Sequence, residues 1–179
     1  MGKDLRIEIE ELINSNTPKL ISLCGKSYTG KTITVIKLSE YLSYNKNVPV
    51  VFFSLELSKE GIINRIGHNN SNLFIVDTPG ITTDEIGQYV RDLKKEKDIK
   101  FVVIDYLQLV NYDKSKCLSR DIEIENICKE LKKLVVELNV SILFTSYLSS
   151  RGKNLIEDKE KLKEIDERIF LEDNLTLYC

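Results

Sequence analysis

A short, mostly apolar run, LISLC at Leu20–Cys24, passes directly into GKSYTGKT, Gly25 to Thr32, and then into an amphipathic stretch from Ile33 to about Tyr44. The spacing G-x-x-x-x-G-K-[ST] between a buried strand and a helix is the signature of a phosphate-binding loop. Gly25 and Gly30 permit backbone torsions and a close approach that a side chain would block. The amides of Gly25, Lys26, Ser27, Tyr28, Thr29, Gly30, Lys31 and Thr32 can then converge on phosphate oxygens, with the positive end of the helix dipole behind them. Lys31 would reach the β- and γ-phosphates, and the Thr32 hydroxyl would ligate Mg²⁺. The competing reading is a glycine-containing turn ahead of a helix, which the strand–loop–helix context disfavours.

The rest of the chain repeats that strand–helix alternation. Further apolar runs stand at Val48–Ser54, Asn72–Asp77, Phe101–Asp105 and Ser141–Ser146. Continuous rather than alternating apolar character marks strands covered on both faces. Between them, Ile124, Ile127, Cys128, Leu131, Leu134, Val135 and Leu138 step by three and four and predict a helix from Asp121 to Leu138. Thr82 and Glu85 form a capping box ahead of Ile86, Tyr89, Val90 and Leu93. Five such repeats predict an α/β fold with a mostly parallel sheet sandwiched between helices, and place ligands beyond the carboxyl ends of the strands. No linker or repeat divides the chain, so residues 1–179 read as one domain. Residues 1–19 form a helical extension, and Arg151–Arg168, of alternating charge, reads as a solvated loop or helix.

With 26 basic and 28 acidic side chains the formal net charge is −2, which excludes a dominantly basic nucleic-acid clamp. The apolar runs are far shorter than the roughly 20 residues of a membrane span, and the charged amino terminus is unlike a secretory signal. Cys24, Cys117, Cys128 and Cys179 are too widely spaced for a zinc site or a disulfide framework, and read as reduced thiols of a cytoplasmic protein. His68 is the single histidine, which leaves little basis for a histidine-based metal site or triad.

Two acids follow strand patterns. FVVID ends in Asp105, where a carboxylate beside the phosphate loop can hold the water shell of Mg²⁺; the alternative is an acid capping the next turn. Glu56 follows VVFFS, where it can polarise a water attacking the γ-phosphate. From spacing alone it is equally a member of the polar set Ser54, Glu56 and Ser58 that opens the next helix. DTPG, Asp77–Gly80, imitates a GTPase switch motif, but no Asn-Lys-x-Asp element accompanies it, so it reads as a turn.

Taken together, VVFFSLELSKEGIINRI, IVDTPGIT, FVVIDYLQLV and ELKKLVVELNVSILFTS resemble, in order and spacing, the RecA-type motor domain of DnaB-like replicative helicases. The resemblance covers roughly Leu20 to Leu148. It implies a RecA-like P-loop ATPase with ATP and Mg²⁺ as cofactors. Lys31 and Thr32 would hold the phosphates and the metal, Asp105 would be the Walker B acid, and Glu56 the catalytic base. It also implies single-stranded DNA, a homo-oligomer or a full-length replicative helicase as partners.

The departures shape the expectation. The family generally has a Gln after the Ser of its fourth motif, as a γ-phosphate sensor; here Tyr147 holds that position, and a phenol lacks the amide's paired donor and acceptor. LEDNLTLYC resembles only the start of the segment that carries the family's arginine finger, so slow hydrolysis is expected of this chain alone. Lys114, Lys116 and Arg120, and Arg151 and Lys153, lie in two loops that resemble the family's DNA-facing ones; solvated loops are the alternative. Two other functions remain open: a non-motor module that uses nucleotide to regulate assembly, and a small P-loop kinase, which the lack of an arginine-rich lid disfavours.

Overall fold

The computed structural model of the chain describes residues 5–14, 17–68, 70–112, 119–147 and 162–171. Six strands, β1 (Leu20–Gly25), β2 (Val50–Ser54), β3 (Leu73–Val76), β4 (Phe101–Asp105), β5 (Ser141–Tyr147) and β6 (Glu167–Leu171), form one sheet in the order β3-β2-β4-β5-β1-β6. Every pairing among them is parallel. A parallel sheet is covered on both faces, and that is why the strands read as unbroken apolar runs.

Alternate residues of those runs serve two cores. On one face Leu20, Cys24, Val51, Phe53, Val102, Ile104, Ile142 and Phe144 meet α4 (Thr83–Lys94) and α5 (Arg120–Leu138). On the other, Ile21, Leu23, Val50, Phe52, Phe101, Val103 and Leu143 meet α1 (Leu5–Asn14), α2 (Lys31–Glu40) and α3 (Lys59–Ile66). Each helix contributes the stripe its periodicity predicts. Ile124, Ile127, Cys128, Leu131, Leu134 and Val135 of α5 are all buried, and Ile9 and Leu12 anchor the amino-terminal α1 on the second face. The Tyr41 hydroxyl donates to Glu10 at 2.8 Å and Lys46 pairs with the same carboxylate at 2.8 Å, which fixes α1 against the π-helical turn Tyr41–Asn45 after α2.

Helix boundaries follow their caps. Thr82 accepts from the Glu85 amide at 3.2 Å while Glu85 accepts from the Thr82 amide at 2.8 Å, so the capping box expected at α4 is formed. Ser119 caps α5, which starts within one residue of the predicted boundary. The DTPG segment is a turn with a structural task. Asp77 accepts from the Lys59 amide at 2.7 Å at the start of α3, and Asn111 ties the turn to the end of the β4 excursion through the Gly80 carbonyl at 2.9 Å.

One boundary differs. Arg151–Arg168 reads from its charges as a loop or helix, and residues 162–166 are turn and loop, but Glu167 and Arg168 open the edge strand β6, paired to Ile21 and Ser22 of β1. The first two residues of ERIFL are charged, and an edge strand exposes enough of itself to accommodate them. The Lys19 ammonium pairs with the Glu167 carboxylate, and the Arg168 guanidinium donates to the carbonyls of Leu162 and, at 3.1 Å, Ile165. Residues 151–161 of that segment lie outside the described part of the chain.

Candidate active site

The strand order sets the site. β1 delivers the loop Gly25–Thr32, β5 lies between β1 and β4, and the carboxyl ends align so that Gly25 is opposite Tyr147 and Ser54 opposite Asp105. Chemistry-bearing residues far apart in sequence therefore meet on one rim.

The loop has the geometry its glycines predict. Gly30 sits at φ 85°, a left-handed conformation, immediately before α2. A Cβ on Gly25 would lie 2.5 Å from the Thr29 hydroxyl, so that hydroxyl can donate to the Lys26 carbonyl at 2.9 Å only beside a glycine. Tyr28, at φ 66°, forms the fully exposed tip, with Lys26 and Ser27 also exposed. Lys31 is buried to 5 % exposure, and its ammonium donates to the carbonyls of Gly25 at 2.9 Å and Lys26 at 2.6 Å. Burial lowers its pKa, opposed by the nearby Asp105, Cys24 and Glu56.

Asp105 ends β4 at 1 % exposure. Burial raises its pKa, while the hydroxyls of Thr145 and Thr32 act in the opposite direction. Thr145 Oγ1 donates to Asp105 Oδ1 at 2.5 Å, and Asp105 Oδ2 is buried with no hydrogen-bond partner among the described residues. A buried carboxylate oxygen without a donor, beside a threonine hydroxyl, is a set of hard oxygen ligands of the kind Mg²⁺ takes directly or through its water shell.

Glu56 is presented by a turn, not by a helix. Ser54 Oγ donates to the Leu57 carbonyl at 2.6 Å, and the Leu55 amide donates to the Asp105 carbonyl at 2.8 Å, joining the turn to β4. Ser58 caps α3 by accepting from the Gly61 amide at 3.2 Å. The three polar residues thus divide the work: Ser54 closes the turn, Ser58 opens the helix, and Glu56 is left exposed toward the cleft. Its carboxylate accepts from the Tyr147 hydroxyl at 3.5 Å.

These parts line one open cleft of about 540 Å³, bounded by the loop, Glu56, Tyr106, Tyr147 and Arg65. Tyr106 and Tyr147 meet edge to face at 4.7 Å between ring centres. The Lys31 ammonium lies 4.1 Å from the centre of the Tyr147 ring. Burial, followed by the negative charge of Glu56, pushes the Tyr147 phenol up to about 12.

Tyr106, Arg65 and Thr145 escape the sequence reading of the site. Arg65 of α3 lines the cleft while donating to the Gly61 carbonyl at 3.0 Å; its only sequence signal is its place nine residues after Glu56. Thr145 is hidden inside an apolar run, where a hydroxyl resembles a tolerated β-branched residue.

The expected DNA-facing residues are placed unevenly. Lys114, Lys116, Arg151 and Lys153 lie outside the described residues. Arg120 is the first residue of α5; its guanidinium donates to the Gln108 carbonyl at 2.7 Å and pairs with the buried Glu123. Gln108 in turn donates to Ser146 at 2.7 Å, so Arg120 is tied to the rim of the cleft.

A parallel sheet with this strand order and a phosphate-type loop at its rim defines the RecA-like class of α/β domains. Solved structures agree: one described as an ATPase domain superposes with a TM-score of 0.75 at 23 % identity, covering 85 % of this chain and 68 % of that one. A DnaB-like replicative helicase studied with primase gives 0.70 at 23 % identity, covering 82 % and 44 %. The family model of the DnaB-like helicase C-terminal domain matches residues 67–167, and the chain belongs to that family. Curated relatives share similarity over more of the chain. A probable replicative DNA helicase of Trieres chinensis is 29 % identical over 88 % of this chain and 42 % of its own length. The replicative DNA helicase DnaC of Bacillus subtilis (strain 168) is 28 % identical over 80 % and 38 %. The chain spans about two fifths of the length of these relatives.

Proposed function

We propose that this domain binds ATP with Mg²⁺ and hydrolyses it, as the nucleotide-driven part of a replicative DNA helicase. The observation that carries the reading is that Lys31, Thr32 and Glu56 line one cleft while the buried Asp105 stands beside Thr32, all brought there by three strand ends. In this reading the loop amides and Lys31 hold the phosphates. Thr32 and the unpartnered oxygen of Asp105 hold the metal, which neutralises charge on the phosphates when bound. Glu56 accepts a proton from the attacking water. Its exposure on the cleft leaves room for that water, and its turn is fixed by Ser54.

Residues 1–179 act in this reading as one domain, with α1 as a helical extension seated on it. Single-stranded DNA and other copies of the chain, or a full-length replicative helicase, are the partners proposed, with Lys114, Lys116, Arg151 and Lys153 as the DNA-facing cations. A nucleotide-regulated module without motor activity is the second reading, favoured by Tyr147 in the sensor position.

Calorimetric titration with ATP and Mg²⁺ tests the first step. The wild-type chain should bind, and Lys31→Ala should bind at least about 100-fold more weakly, since a charge-assisted phosphate contact in a desolvated site is removed. Equal affinities would overturn the assignment.

A further inference from the structure

The Lys31 ammonium has three N–H donors, and two of them are given to the carbonyls of Gly25 and Lys26. Its remaining side is covered by the Tyr147 ring, 4.1 Å away. Lys31 is 5 % exposed, so water does not compete for that position. The ring is itself held: it pairs edge to face with Tyr106, its hydroxyl reaches Glu56, and its backbone is in register with Gly25 at the root of the loop. A glutamine in the same place would have no π face to offer.

We propose that Tyr147 is a positioning residue acting on Lys31: its ring holds the ammonium in the nucleotide-free position and is exchanged for phosphate oxygens when nucleotide binds. This rests on the nucleotide-binding reading and deepens it. The ring and the phosphates compete for one cation, so the contact opposes binding by the strength of a desolvated cation–π interaction. The Tyr147 hydroxyl, 3.5 Å from Glu56, makes only a weak contact there, so the ring and not the hydroxyl carries the exchange.

Three variants separate the parts. Tyr147→Leu removes the ring, Tyr147→Phe keeps the ring and removes the hydroxyl, and Lys31→Met assigns the lysine signal. In the nucleotide-free wild-type chain, NMR should show the Lys31 ε-methylene shifted upfield by the ring current. That shift should persist in Tyr147→Phe and be lost in Tyr147→Leu and on addition of ADP with Mg²⁺. Calorimetry with ADP and Mg²⁺ should show Tyr147→Leu binding about 2- to 30-fold more tightly than wild type, and Tyr147→Phe within about twofold of it.

An unshifted Lys31 signal in a chain that binds ADP overturns this proposal alone. So does a shift that survives saturation with ADP, or an unchanged or weaker affinity in a folded Tyr147→Leu. Failure of wild type and Tyr147→Leu alike to bind any adenine nucleotide overturns the nucleotide reading and the exchange with it, even where the ring-current shift is present.

Discussion

Thr145 donates its hydroxyl hydrogen to Asp105 across the β4–β5 pair, 2.5 Å from oxygen to oxygen, in the interior of the sheet's carboxyl end. This bond orients a 1 %-exposed carboxyl whose other oxygen, the one proposed to face the metal, stays without a partner among the described residues. Thr145→Val preserves shape and removes the donor. A hydrogen bond to a charged group contributes about 1.5–3 kcal/mol, so the Mg²⁺ concentration that half-saturates nucleotide binding should rise about tenfold or more. A magnesium titration at fixed ATP measures this, and an unchanged midpoint contradicts it.

Asp105 also sets a pH dependence. Its folded pKa lies above the ordinary value of 3.8, chiefly because of burial. A raised carboxyl pKa means that the folded state binds the proton more tightly than the unfolded chain. Its contribution to stability is therefore fully present below the unfolded value and is lost as pH rises through the folded one. Asp105→Asn removes that loss. The variant should melt at a higher temperature than wild type at about pH 7 without nucleotide, and the difference should shrink as pH falls toward about 4. Its Mg²⁺-dependent ATP binding should be lost at every pH. Thermal melts across pH check the first part, calorimetry the second.

Ser54 fixes the turn that presents Glu56 through its 2.6 Å bond to the Leu57 carbonyl. Ser54→Ala should cost about 1 kcal/mol in stability, within the ordinary range for a neutral hydrogen bond. Its effect on turnover should be larger than on affinity: kcat reduced about tenfold, with ATP affinity within about threefold of wild type, because a small displacement of a general base is felt in the reaction step. Steady-state kinetics beside urea denaturation would show the split; loss confined to affinity would contradict it.

Arg120 and the other cations proposed to face DNA should behave differently. Arg120 is engaged by Gln108 and Glu123, and its removal leaves a buried acid without that partner. Arg120→Ala should cost about 1–2 kcal/mol in urea denaturation, a figure reduced for the half-exposed guanidinium. Lys114→Ala and Lys153→Ala should stay within about 0.5 kcal/mol of wild type while lessening the salt dependence of any single-stranded DNA binding. Fluorescence anisotropy at several salt concentrations separates the two behaviours.

What the sequence discloses follows the range of the interaction. Gly25–Thr32, Asp105 and the Thr82–Glu85 capping box are local patterns, in which spacing along the chain is nearly spacing in space, and each stands where expected. The sheet is legible because burial on both faces leaves unbroken apolar runs. β6 is not, because an edge strand tolerates Glu167 and Arg168 at its start. Asp77 on the Lys59 amide, Thr145 on Asp105, and Tyr147 over Lys31 depend on strand register and helix packing across 18, 40 and more residues. No periodicity encodes such contacts. The role of Glu56 is divided in the sequence between helix opening and catalysis; in the structure, Ser54 and Ser58 carry the structural part and leave the carboxylate facing the cleft.

Glu56→Gln decides whether one cleft both holds ATP and hydrolyses it. Calorimetry and phosphate release are measured on the same preparation with Mg²⁺, alongside wild type. Binding should stay within about threefold of wild type while turnover falls about 100-fold or more, the contribution of a positioned general base. Turnover equal to that of wild type would contradict it.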